Sequence, residues 1–124
     1  MILCDTNILI EVYRNNEKII QVVKKIEQQN IVVSEVTCAE LYFGARDKNE
    51  LRIIAKDLDK LKVLPVNSFI SGLAVKLVKD YSLSHRLSLP DAIIGATAIY
   101  HNLELFTLNL KDFIFLEDLK LFEI

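Results

Sequence analysis

The opening stretch "MILCDTNILI", residues 1–10, sets the reading of the whole chain. Residues 1–4 are a continuous apolar run, the pattern of a strand covered on both faces. Asp5 and Thr6 follow directly, and this pair caps a helix through "NILIEVYR", residues 7–14. A covered strand passing straight into a helix is the first half of a parallel crossover unit.

The same unit recurs downstream. Asn15 or Asn16 restarts a helix that runs to about Gln29, with Ile19, Ile20, Val22, Val23 and Ile26 at helical spacing, and Asn30 ends it. "IVVS", residues 31–34, reads as a second strand, and "TCAELYFGAR" from Thr37 as a helix whose capping box pairs Thr37 with Glu40. Residues 48–61 carry Leu51, Ile54, Ala55, Leu58 and Leu61 at three- and four-residue steps among charges, an amphipathic helix. "KVLPV", residues 62–66, is a third strand in which Pro65 marks a sheet edge or the strand's end. Ser68 caps a long helix to about Ser82, followed by the polar linker "SLSHRLS". Pro90 fits the first turn of the next helix. "LELFT", residues 103–107, is a fourth strand, "NLKDF" a loop or short turn, and "LKLFEI" a fifth strand at the end. The expectation is an α/β fold: one domain over residues 1–124, with a parallel β-sheet of about four to five strands sandwiched between helices.

Bulk properties narrow the class. With 124 residues the chain can bury a real core as one domain. A hydrophobic share of 52% and a mean hydropathy of +0.29 are high for so short a chain, so apolar surface is expected to be covered by an oligomer contact or a dedicated partner. The net charge of -2 excludes the strongly basic surface of most sequence-independent nucleic-acid binders, so any such site is local. No apolar run reaches the roughly 18 to 20 residues of a membrane span, and Asp5 arrives too early for a signal peptide's apolar region, so a cytoplasmic protein with no membrane association is expected. Cys4 and Cys38 lack CxxC spacing and a nearby His and read as small buried thiols.

The chemistry starts with "LPDAIIGATAI", residues 89–99, where Asp91 heads an otherwise apolar helix. A lone carboxylate there needs water or a compensating partner. In open α/β sheets the functional crevice lies beyond the carboxyl ends of the strands. Asp5 follows the first strand, Glu40 lies on the helix after the second, and Asn109 and Asp112 follow the fourth. Asp91 joins them if its helix runs back along the sheet with its N-terminus at the same edge. Carboxylates gathered in a partly dry cleft repel one another, and a divalent cation relieves that repulsion. Mg2+, with Mn2+ as a substitute, prefers such hard oxygens and supports phosphodiester hydrolysis.

Each residue also has a local explanation. Asp5 can be only an N-cap, Glu40 only half of a capping box, and Asp91 only a dipole-favoured first-turn acid. Joint placement on one edge is what the metal site accounts for and the local readings do not. Gly95 with Ala92, Ala96 and Ala98 reads as close helix packing. His85 and His101 lack partners, and Glu11, Asp57 and Asp59 read as solvated helix faces, Glu11 within reach of the cleft mouth.

Taken in order, "LCDTNILIE" at 3–11, "TCAELYFGA" at 37–45, "LPDAIIGATA" at 89–98 and "LFTLNLKDF" at 105–113 resemble the PIN-domain ribonucleases, and specifically the VapC-type toxins of toxin-antitoxin pairs. The resemblance spans essentially the whole chain. It implies a metal-dependent endoribonuclease in which Asp5, Glu40 and Asp91 are the catalytic acidic residues, Asp5 and Asp91 the most direct metal ligands. Asn109 stands where many PIN domains carry an acid; its amide can still hold a ligand, and Asp112 supplies a carboxylate three residues on. Thr6 and Thr107 have hydroxyls suited to supporting the ligands from behind or to holding a metal-bound water. Arg14, Arg46 and Arg86 are candidate phosphate contacts, with Lys48 and Arg52 beside them. The resemblance further implies an RNA substrate, such as transfer RNA, and an antitoxin partner that covers the apolar surface and inserts a basic side chain among the carboxylates; the apolar composition adds the expectation of a homodimer.

Two other classes make different demands. A phosphoacceptor receiver domain needs an acidic residue ending its third strand, where this chain has "LPVNS". A scaffold protein on the same fold would carry a degenerate acidic cluster, and Asn109 is the residue that favours it.

Overall fold

The computed structural model describes residues 1–124. Five strands, β1 (Ile2–Cys4), β2 (Ile31–Ser34), β3 (Lys62–Leu64), β4 (Glu104–Phe106) and β5 (Lys120–Leu121), form one sheet in the order β3-β2-β1-β4-β5. Every neighbouring pair is parallel, with Leu3 registered against Val32 on one side and Leu105 on the other. Six helices connect them: α1 (Thr6–Tyr13), α2 (Glu17–Ile26), α3 (Glu35–Phe43), α4 (Lys48–Leu58), α5 (Ser68–His85) and α6 (Leu89–His101). The expected α/β/α sandwich is the fold observed.

Period-two alternation along the strands builds two cores. Leu3, Val32, Leu64 and Leu105 face the layer formed by α5 and α6, where Ile70, Ala74, Ala92, Ile94 and Ala96 are buried. Cys4, Ile31, Val33 and Phe106 point the other way, onto Ile8, Ile19, Leu41, Ile54 and Leu58 of α1–α4. With both faces covered, β1 and most of β2 are apolar, which is why "MILC" and "IVVS" carry no alternation of polarity, while β3, β4 and β5 each begin with an exposed charged residue, Lys62, Glu104 and Lys120. Gly95 lets α6 approach closely, since a Cβ there would lie 3.0 Å from Leu116 Cδ1.

Helix starts show where local signals succeed. Asp5 caps α1 and Asn16 caps α2, as read, after a left-handed Asn15. Pro65 lies just past β3, the edge strand. Several boundaries differ. α5 is capped by Asn67 rather than Ser68 and runs to His85, so half of the "SLSHRLS" linker is helical. α2 ends at Ile26, where Glu27 adopts a positive φ, and residues 28–30 form a 3-10 turn. Thr37 does not cap α3: Ser34, the last residue of β2, does so by accepting from the Val36 amide. The strand therefore passes into the helix without a spacer, and Thr37 is carried inside α3. No helix is long and apolar enough to cross a membrane.

Candidate active site at the carboxyl edge of the sheet

The chain leaves β1 toward β2 and β3 on one side, then returns to place β4 and β5 on the other. The switch point, where a crevice opens in sheets of this kind, thus falls between β1 and β4. Asp5 directly follows β1 there and Thr107 directly follows β4, and the two strand ends are tied by the Asp5 amide donating to the Phe106 carbonyl at 2.9 Å.

Asp5 is 5% exposed and fully engaged. Its Oδ1 accepts from the Thr6 amide at 2.8 Å, and its Oδ2 accepts from the Thr107 hydroxyl at 2.8 Å and from the Asn7 side-chain amide at 3.3 Å. Burial nevertheless pushes its pKa up; the Thr107 and Thr6 hydrogen bonds oppose the rise, and the charges of Glu40 and Asp112 add to it. Asp91 enters from the opposite layer at the first turn of α6, with its own amide donating to the Ser88 hydroxyl. Its carboxyl is pushed up to about 6, by desolvation first and then by the charges of Asp5, Asp112 and Glu40. Four carboxylates from four separate chain segments therefore feel one another, and α6 runs with its N-terminus at the edge the sequence required.

Glu40 projects from α3, and its Oε1 accepts from Thr6 Oγ1 at 2.7 Å. Asp112 lies in a 3-10 turn, Leu110–Asp112, after β4. Asn109 contributes its backbone: its amide donates to Thr107 Oγ1 at 3.1 Å, while its exposed side chain makes no hydrogen bond. Thr6 and Thr107 thus each donate a hydroxyl to one of the acids, Glu40 and Asp5 respectively.

Asn7 escapes sequence reasoning. Its side-chain amide donates to Asp5 Oδ2 and Thr107 Oγ1, both at 3.3 Å, while its Oδ1 accepts from the Leu108 amide at 3.2 Å. It ties the loop after β4 to the first turn of α1. The signal was present in "DTN", where Asn7 lies one position past Thr6 and faces the same strand ends.

The arginines separate. Arg14 and Arg46 line, with Glu40, a groove of about 690 Å³ between α1, α3 and α4 whose apolar walls include Ile10, Leu41 and Ile53. Both are paired, Arg14 with Glu11 at 3.5 Å and Arg46 with Glu50 at 2.8 Å. Arg86 is elsewhere, at the left-handed C-cap of α5. Cys4 is buried with its thiol pushed up to about 12 by desolvation and by Asp5, so it is inert. Cys38 is half-exposed rather than buried as expected, because its turn of α3 is only partly covered. His85 stacks on Phe115 with ring centroids 4.0 Å apart.

The donor set fits a divalent cation. It is all hard oxygen, and no Lys, Arg or His pairs with Asp5, Glu40, Asp91 or Asp112, both ion pairs of the protein lying elsewhere. No three His, Cys, Asp or Glu groups close into a ready-made cage. Such an open set of hard oxygens leaves room for a divalent cation to keep part of its water shell.

A PIN-domain family model matches residues 2–114. The chain belongs to the PIN-domain family. This PIN domain is 36% identical to Ribonuclease VapC10 of Mycobacterium tuberculosis over 91 residues, 73% of this chain and 68% of that protein. Among solved structures it superposes on a toxin-antitoxin complex from Klebsiella pneumoniae with a TM-score of 0.83 at 31% identity, covering 100% of both chains. It likewise matches VapBC-1 from nontypeable Haemophilus influenzae with a TM-score of 0.81 at 30% identity, over 99% of this chain and 98% of that one. The VapC-type resemblance read from the four motifs is thereby established.

Proposed function

We propose that this PIN domain is a Mg2+-dependent endoribonuclease, the toxin of a toxin-antitoxin pair, acting in the cytoplasm, with Mn2+ able to substitute. The observation that carries the reading is the cluster of Asp5, Glu40, Asp91 and Asp112, mutually repelling and without a cationic partner of its own. Asp5 and Asp91 are assigned as the principal metal ligands, with Glu40, Asp112 and Asn109 completing the oxygen set. When bound, the cation supplies charge neutralisation at phosphorus and a more acidic water. The chain's own residues do the rest. Thr107, Thr6 and Asn7 hold Asp5 at fixed orientation, while Glu40 or Asp91 accepts the proton of the attacking water as it adds in line to phosphorus. The P–O3' bond breaks and the departing 3'-oxygen takes a proton from solvent, leaving a 5'-phosphate and a 3'-hydroxyl.

Arg14 and Arg46 are assigned to RNA phosphates at the groove, exchanging Glu11 and Glu50 for substrate, with Arg86 as an outer contact. Transfer RNA is the substrate class we favour. The antitoxin is assigned to the apolar groove beside Glu40, where a basic side chain would meet the free carboxylates. Phe43, Phe69 and Leu83, large and strongly exposed, support coverage by a second copy in a homodimer.

The test is cleavage of a mixed transfer and ribosomal RNA pool by antitoxin-free protein, with and without Mg2+ or Mn2+, beside Asp91→Asn. Metal-dependent cleavage lost in the variant is expected. No cleavage with any metal, together with poor Mn2+ binding, would favour a catalytically degenerate scaffold.

A further inference from the structure

Thr37 is fully buried in α3, 0% exposed, and its hydroxyl lies 2.9 Å from Thr6 Oγ1. Thr6 Oγ1 in turn lies 2.7 Å from Glu40 Oε1. The direction of these bonds follows from counting protons. An ionised carboxylate only accepts, so the single Thr6 proton goes to Glu40, and Thr6 then accepts from Thr37. A buried hydroxyl needs a partner, and Thr6 is the one Thr37 has. A two-hydroxyl chain thus runs from the interior of α3, through α1, and back to a carboxylate one turn further along α3.

We infer that Thr37 is a positioning residue of the acidic site, which acts through Thr6 to pin Oε1 of Glu40 and leaves Oε2 as the single carboxylate oxygen free to act. The inference rests on the nuclease reading for its purpose, though not for its geometry. Glu40 lies on an exposed turn, where a three-torsion side chain otherwise samples several rotamers. Anchoring one oxygen removes that freedom before any ligand arrives, and aligned hydroxyls polarise one another in the direction of the charge. Glu40 therefore presents Oε2 as its one unengaged oxygen in a fixed direction, a geometry suited to orienting a water, whereas Asp5 carries hydrogen-bond donors on both of its oxygens.

The experiment compares wild type, Thr37→Val, Thr37→Ser and Thr6→Val as full chains. Valine keeps the volume and removes the hydroxyl; serine does the reverse. In metal-free protein, Glu40 side-chain couplings measured by NMR are expected to report one rotamer in wild type and Thr37→Ser. They should be averaged in Thr37→Val and Thr6→Val, with melting curves showing that all four are folded. Mn2+ titration followed by electron paramagnetic resonance should show Thr37→Val weakened by roughly tenfold, as for other groups that orient metal ligands. In a Glu40→Ala background the same change should have no further effect. An unaveraged Glu40 in folded Thr37→Val overturns the inference whatever the metal does. Conversely, the expected rotamer pattern in proteins that bind no Mn2+ supports the positioning role and overturns the metal reading of the site.

Discussion

Replacing Asp91 with Asn in metal-free protein removes a charge that the fold holds at a cost. Desolvation, and then the charges of Asp5, Asp112 and Glu40, push the Asp91 carboxyl up to about 6 in the folded protein from an ordinary 3.8. Taken in full, that difference corresponds to about 3 kcal/mol at neutral pH. Asp91 is half-exposed, and solvent screening leaves about 1 to 1.5 kcal/mol. Between pH 3.8 and about 6 the folded chain binds more protons than the unfolded chain, so this contribution makes stability fall as pH rises through that window and level off above it. Asn carries no such slope. For a chain of 124 residues, unfolding entropy converts the gain to about 4 to 6 °C in Tm. Circular-dichroism melts in EDTA from pH 4 to 8 are the assay, with the two curves meeting near pH 4 and separating up to about pH 6. Saturating Mg2+ should reverse the order, since metal at 100 times its Kd adds about 2.7 kcal/mol to the wild type alone. A variant no more stable at pH 7.5, or equally stabilised at pH 4, would refute the reasoning.

Thr107→Val strips Asp5 Oδ2 of its shortest donor and leaves the Asn109 amide without its acceptor, so urea unfolding should register a loss of about 1 to 3 kcal/mol. Asn7→Ala frees the Leu108 amide and one contact to Asp5; calorimetric Mn2+ titration is expected to show roughly tenfold weaker binding in a folded protein. Gly95→Val places a branched side chain where even a Cβ would lie 3.0 Å from Leu116 Cδ1, and overpacking of about 1 to 3 kcal/mol should appear in thermal unfolding, with no change in the metal affinity.

The acid cluster was legible because parallel topology constrains it. Once "MILC" and "IVVS" read as covered strands followed by helices, Asp5 and Glu40 had to fall on one edge, and a helix returning along the sheet had to bring Asp91 to it. Thr37 shows where this stops. The spacing of Thr37 and Glu40 matches a capping box, and nothing local distinguishes a threonine that bonds its own helix end from one that bonds a hydroxyl 31 residues away. Asn7 and Thr107 likewise meet across 100 residues of sequence.

The sequence by itself determined the sheet, the helices that cover it and the edge at which the carboxylates gather, because hydrophobic periodicity and capping are local and each strand-helix unit repeats them. Only the tertiary structure decided which partners each acid has: Thr107 and Asn7 for Asp5, the Thr37–Thr6 chain for Glu40, and no hydrogen bond for the side chain of Asn109. It also drew Arg14 and Arg46 to the groove and left Arg86 apart. Those choices depend on distances of an ångström or less between atoms far apart in the chain, and they are set only when both cores pack against the sheet.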